Sequence, residues 1–210
     1  MKPMMTLRGL PIVMKGWYLE SFSGIGALNL RHDLKIPILT TPNDILVKVE
    51  ASSVNPLDVM MTKGYGKTVI GNLRNSDKDL ILGRDFSGTV VDLGMNLSNE
   101  FKLGDEVWGA TFPSSQGSHA DFVTASSYSL SKKPKNLSHV QAASLPFTAL
   151  TAWSSMMISA GLSSEKQNRN TKFKVLVIGA SGGVGTFAVQ VLKALNYNVR
   201  VLFVNSLFCS

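Results

Sequence analysis

VLVIGASGGVGTFAVQ, residues 175–190, is the stretch that decides the fold. Lys174 to Ile178 is a short continuous apolar run, the pattern of a buried parallel strand rather than of a half-exposed one. It stops at a loop of small residues. From Val184 the apolar positions Phe187, Ala188, Val191, Leu192 and Leu195 recur at the spacing of one helix face. Asn196 to Asn198 supplies a stop and turn, and Val199 to Val204 reads as a second apolar strand. Strand, glycine loop, helix and strand in this order make a β-α-β unit. A pyrophosphate needs backbone N–H donors close by and the positive end of a helix dipole, and small residues permit that approach. In the dinucleotide fingerprint G-x-G-x-x-G the second glycine lets the backbone reach the phosphates and the third lets helix pack on strand. Gly182 and Gly185 hold those places, while Ala180, preceded by Gly179, departs from the first. The cofactor-binding candidates are Ala180, Ser181, Gly182, Gly183, Val184 and Gly185.

Toward the C-terminus the sequence stops at Ser210, 25 residues after Gly185. A doubly wound domain uses about six strands, with the cofactor crevice between strands 1 and 4. Only the first part of such a domain is therefore expected, with Val201 to Val204, Leu207 and Phe208 exposing apolar surface. Asn205 and Ser206 stand just beyond the second strand, where an acidic residue or an arginine would select between the two nicotinamide dinucleotides, and they offer neither.

Toward the N-terminus, Asn136 to Ser164 runs for 29 residues without Lys, Arg, Asp or Glu, but Pro146 interrupts it and Ser and Thr fill it. Two buried helices fit better than a membrane span. Ser138 and Gln141 form a capping-box pattern for the first, Pro146 suits the first turn of the second, and Gly161 its end. Leu162 to Lys172 reads as a polar connector. Residues from Ile12 to about Lys135 alternate short strand patterns with turn signals. Ile45, Val47, Val49 and Ala51 share one face and Leu46, Lys48 and Glu50 the other. Further strands are expected around Thr89 to Asp92, Glu106 to Ala110 and Asp121 to Ala125. The domain boundary falls near Asn136, giving a β domain over 1–136 and an α/β region over 137–210.

Composition narrows the function classes. A chain of 210 residues with 44% hydrophobic and 17% charged residues can bury a real core. The net charge of +7 is spread without a dense basic block or interleaved aromatics, so a solvated basic surface is the reading and nucleic acid is not an expected partner. Cys209 is the sole cysteine, which excludes an internal disulfide and a thiolate-rich zinc site. His32, His119 and His139 lack ligand spacing and read as structural or exposed. Lys2, Arg8 and Lys15 without an acid before Gly16 give a weak transit-peptide bias.

Five motifs occur in a fixed order: ASSVNPLD (51–58) with GYG (64–66), LGRDFSG (82–88), GDEVW (104–108), AASLPFTALTAW (142–153) and the glycine loop. In this order the chain resembles the zinc-free medium-chain dehydrogenases/reductases of the quinone oxidoreductase type, in their mitochondrial branch, over about residues 14–201. The resemblance implies a GroES-like irregular β domain over 1–136 followed by the first β-α-β part of a Rossmann domain over 137–210. It implies hydride transfer from NADPH to a quinone or enone-type acceptor, a mitochondrial location, and no metal. It also implies that Asn55 faces the nicotinamide end, that Tyr65 lines the substrate cleft and donates a proton, and that Thr151 meets the carboxamide. By their residue types alone, Asn55 is equally a turn residue, Tyr65 a loop residue and Thr151 a plain helix residue. Asp85 and Asp105 read as turn and fold residues. Alternative readings are a shortened, non-catalytic binding module, with a reticulon as partner, and an enoyl-thioester reductase.

Overall fold

The computed structural model describes residues 9–68, 80–97, 99–162 and 174–203. It forms two compact units, Met1–Pro146 and Phe147–Ser210.

The first unit is built from antiparallel sheets. β1 (Val13–Leu19) lies between β2 (Leu28–Lys35) and the short β4 (Leu80–Ile81). A second sheet has the order β7-β3-β5-β6-β8, with β3 at Asp44–Ala51, β5 at Asp85–Leu93, β6 at Glu106–Ala110, β7 at Phe122–Ser126 and β8 at Leu130–Lys132. Period-2 alternation puts Ile45, Val47, Phe86, Val90, Val107 and Val123 on one face, where they form the largest core cluster. The opposite face is not wholly polar. Leu46 and Phe122 pack with Met14, Leu34 and Ile81 of the three-stranded sheet, so β3 is buried on both faces where that sheet covers it. Farther along β3, Lys48 is exposed and pairs with Glu50 at 3.0 Å.

After β3 in the chain, α1 (Pro56–Met61) follows the N-cap Asn55. α2 (His139–Ala143) closes the unit with the expected capping box: Gln141 N–H donates to Ser138 Oγ at 3.2 Å and Ser138 N–H to Gln141 Oε1 at 2.9 Å. His139 ties α2 down, with Nδ1 2.8 Å from Ser87 Oγ on β5 and Nε2 3.1 Å from Glu106 Oε1 on β6. Lys133 beside Glu106 at 3.2 Å, helped by His139, holds the Glu106 carboxyl below the ordinary glutamate range. With α2 anchored on β5 and β6, the first compact unit extends to Pro146.

In the second unit, α3 (Pro146–Trp153) continues through a π turn at Ser154–Ser159 to Gly161, whose φ of +62° ends it. β9 (Lys174–Ile178) and β10 (Asn198–Leu202) pair in parallel on either side of α4 (Gly183–Ala194) in sequence. Val175, Val177 and Val199 pack with Ala152, Met156, Ala188, Leu192 and Tyr197. The strand is covered on one face only: Leu176 and Ile178 are 60% and 66% exposed, against the expectation of burial on both faces. Val201, Leu202 and Phe203 are exposed as expected, while Val204 to Phe208 and the connector after Leu162 lie outside the described residues. Among the described residues no helix is long and apolar enough to cross a membrane.

Candidate functional site

The glycine loop joins β9 to α4 through Gly179 to Gly182. Gly182 is the N-cap of α4, and Thr186 N–H donates the first helical bond to its carbonyl at 2.8 Å. Gly183 and Val184, at the first two helical positions, have no carbonyl a turn earlier inside the helix, so their amides are free by geometry to meet an anion. Ser181, Gly182, Gly183 and Val184 are exposed, whereas Ala180 and Gly185 are buried. A Cβ added at Gly185 would lie 2.3 Å from the Gly179 carbonyl oxygen and 2.8 Å from Ala180 Cα. Glycine is required there by close packing of helix on loop. At Gly182 an added Cβ would meet only the Gly179 oxygen, at an ordinary 3.5 Å, and the backbone φ is −76°. Nothing in the fold itself demands glycine at 182, and the space stands open on the exposed side. The two glycines divide as the fingerprint requires, and the loop fits a pyrophosphate.

Thr151 sits on α3, exposed, with its hydroxyl donated to the Phe147 carbonyl at 2.7 Å. One turn earlier Thr148 packs against the start of α4: an added Cβ at Gly183 would lie 3.2 Å from Thr148 Cγ2. Thr151 is therefore three residues along the helix from a residue that touches the loop.

Asn55 and Tyr65 lie in the first unit. Pro56 presets the first turn of α1, and Asn55 before it is extended, as a residue preceding proline should be. Its main-chain N–H donates to Asp58 Oδ2 at 2.8 Å. Asn55 is buried, and its amide Nδ2 donates to Asp85 Oδ2 at 2.7 Å. Tyr65 is 60% exposed in the turn after α1, between Gly64 and Gly66, which have φ of +84° and +74°. No hydrogen bond between Tyr65 and Asn55 is present.

The surroundings of Asn55 go beyond the sequence reading. Asp85, expected as a turn and fold residue, is a buried carboxylate that also takes the Ser53 hydroxyl at 2.5 Å. Asp58 accepts Gly83 N–H at 3.0 Å and faces Arg84 Nε at 3.6 Å, an ion pair sealed from solvent. Arg84 also donates to the Phe112 carbonyl at 2.6 Å. His119 Nε2 lies 2.9 Å from the Ser53 carbonyl, which can only accept, so Nε2 carries the hydrogen. The Asn55-x-x-Asp58 spacing was the available signal for this cluster, being an N-cap and its N3 partner. A surface pocket of about 560 Å³ opens beside α1, lined by Trp17, Leu28, Val54, Val59, Leu82 and His119. Among the described residues no group of three or more His, Cys, Asp and Glu side chains could hold a metal ion.

Comparison with known proteins agrees with this fold. Residues 41–135 match the alcohol dehydrogenase GroES-like domain. The chain is 43% identical over 198 residues to the human protein named NAD(P)H oxidoreductase RTN4IP1, mitochondrial, covering 90% of this chain and 49% of the human one. It thus spans about half the length of the curated relatives it matches. Among solved structures, a quinone oxidoreductase from Coxiella burnetii superposes with a TM-score of 0.71 at 32% identity, covering 90% of this chain and 55% of that one. Mycobacterial Rv1454c complexed with NADPH superposes at 0.68 and 25% identity, covering 90% and 52%.

Proposed function

We propose, from the premise that this chain carries an alcohol dehydrogenase GroES-like domain and is homologous to NAD(P)H oxidoreductases of the medium-chain quinone oxidoreductase type, that the protein is an NADPH-dependent reductase of quinone or enone-type acceptors working in mitochondria. The glycine loop carries the reading, because Gly185 is required by packing while Gly182 keeps an open approach at a helix N-terminus. The NADPH-bound mycobacterial relative and the mitochondrial name of the human one support the cofactor and the location.

When bound, reduced nicotinamide supplies the hydride. The loop amides from Ser181 to Val184 would hold the pyrophosphate, and Thr151 the carboxamide. Asn55 would orient the nicotinamide end, and the exposed Tyr65 phenol would give a proton to the reduced acceptor's oxygen. The apolar pocket beside α1 suits a ring-bearing, poorly hydrated acceptor, whose fixed orientation against the hydride donor is what the protein contributes.

Gly182→Val tests the reading. The branched side chain fills the open approach and withdraws at least two charge-assisted hydrogen bonds, which at about 1.5 kcal/mol each is about a 100-fold loss of affinity. Titration of the protein with NADPH, followed by nicotinamide fluorescence, should show that loss with an unchanged circular dichroism spectrum. Equal affinity in the variant would remove the loop from the mechanism. Turnover with a soluble quinone set against an enoyl-CoA then assigns the acceptor, and faster reduction of the thioester would replace the quinone reading.

A further inference from the structure

Asn55 is held more firmly than a cap residue requires. Its main-chain N–H is taken by Asp58 and its side-chain amide by Asp85, two carboxylates that are 2% and 1% exposed. A carboxylate accepts and does not donate, so the NH2 end of the Asn55 amide must face Asp85 and its oxygen the other way. Besides this bond, Nδ2 makes only a long contact of 3.5 Å with Ser53 Oγ. Asp85 is itself fixed. Ser53 Oγ donates to the same Oδ2 at 2.5 Å, and the hydroxyls of Ser52 and Ser118 lie 2.7 and 2.6 Å from the Asp85 carbonyl. The buried carboxylate therefore leaves the Asn55 carboxamide one orientation and not two.

We propose that Asp85, supported by the Ser53 hydroxyl, is a positioning residue that locks the Asn55 carboxamide in one orientation for the nicotinamide and acceptor. The inference rests on the reductase reading for what Asn55 does, but the locking of the amide stands apart from it. With the orientation lost, the group that aligns the reacting ring presents donor and acceptor interchangeably, and misalignment of this kind costs about 10- to 100-fold in turnover.

Asp85→Asn keeps the shape and replaces an obligate acceptor with an amide that can face either way. Ser53→Ala, a milder change, removes the support and keeps the carboxylate. In the full-length protein, kcat and KM with NADPH and a soluble quinone are to be measured alongside the side-chain NH2 resonances of Asn55, identified by their loss in Asn55→Ala. The expected result is a fall of about 10- to 100-fold in kcat for Asp85→Asn and about 2- to 5-fold for Ser53→Ala, with KM for NADPH little changed. The Asn55 NH2 pair should lose its dispersed, slowly exchanging proton in both variants, and Asp85→Asn should add nothing to Asn55→Ala in the double variant.

A drop in melting temperature with unaltered kcat would make Asp85 structural and overturn the proposal, as would an Asn55 NH2 pair unchanged in both variants. Wild-type protein without reductase activity would end the reductase reading instead, and the resonances would still decide whether Asp85 locks the amide. If Asp85→Asn does not fold, Ser53→Ala decides: unchanged resonances and kcat overturn the proposal, and movement of both supports it.

Discussion

At the scale of single residues, two glycines three positions apart do opposite work, and the difference is measurable. Gly185→Ala gains helix propensity of about 1 kcal/mol but puts a Cβ 2.3 Å from the Gly179 oxygen, a backbone atom that cannot swing aside. Overpacking of this kind costs about 1–3 kcal/mol, so the net effect is destabilising. Gly182→Ala meets only an ordinary 3.5 Å contact and should leave stability nearly unchanged while weakening NADPH. Urea unfolding with NADPH titration on both variants separates the two roles, and equal destabilisation by both substitutions would contradict the division. The motif spacing made both positions visible in the sequence, since small residues so spaced at a β-α junction are what close approach of a phosphate needs. The fingerprint also assigned packing to Gly185, but not the atoms it packs against, because those depend on how closely the loop carbonyl approaches the helix. Gly88 is a parallel case. It stood in the sequence only as part of a motif, yet an added Cβ there would lie 2.0 Å from the Lys48 carbonyl oxygen across the sheet.

At the scale of elements, the start of β3 depends on one carboxylate. Asp44 accepts from Thr40 N–H and Oγ1 at 2.8 and 2.9 Å and from Thr41 N–H and Oγ1 at 2.8 Å each. Burial favours its protonated form, but the four bonds, those of Thr41 foremost, outweigh burial and hold the carboxyl below its ordinary 3.8. A carboxyl depressed in the folded state stabilises fully above its unfolded pKa, and that stabilisation disappears as pH falls through the folded value. Asp44→Asn should therefore cost about 1–2 kcal/mol at pH 6, as loss of a charged cap does, and progressively less below pH 3.8. Urea midpoints at pH 6 and pH 3 check this. A gap between variant and wild type that stays constant with pH would mean that the carboxylate's charge is not what holds the turn. The elements themselves were largely legible: β6 and the capping box of α2 fall where pattern and cap chemistry put them, because both signals are local. The two-sided burial of β3 at Leu46 and the one-sided burial of β9 were not legible. Each depends on which distant element covers a face, and periodicity cannot report that. The buried Asp85–Asn55 contact escaped for the same reason: its partners are 30 residues apart and meet only through the sheet.

At the scale of the whole molecule, the net charge of +7 becomes a kinetic property. The Lys and Arg residues form no dense block in the sequence, and their excess over Asp and Glu gives the chain a net positive field that acts at long range on an approaching anion. A nicotinamide dinucleotide is a polyanion, and such a field raises its encounter rate without adding a contact. Screening distinguishes this from local binding, because the Debye length falls from about 10 Å at 0.1 M salt to about 3 Å at 1 M. Stopped-flow mixing of the 210-residue chain with NADPH should show an association rate that falls severalfold between 0.05 and 0.5 M salt, by about the lower end of the 10- to 1000-fold range of electrostatic steering. On the proposed function the dissociation rate should change far less, since the loop amides of Gly183 and Val184 would act at contact distance where salt screens little. A salt effect confined to dissociation would mean that the charge acts at the site and not in the field. An association rate indifferent to salt would leave the basic surface with no part in cofactor capture.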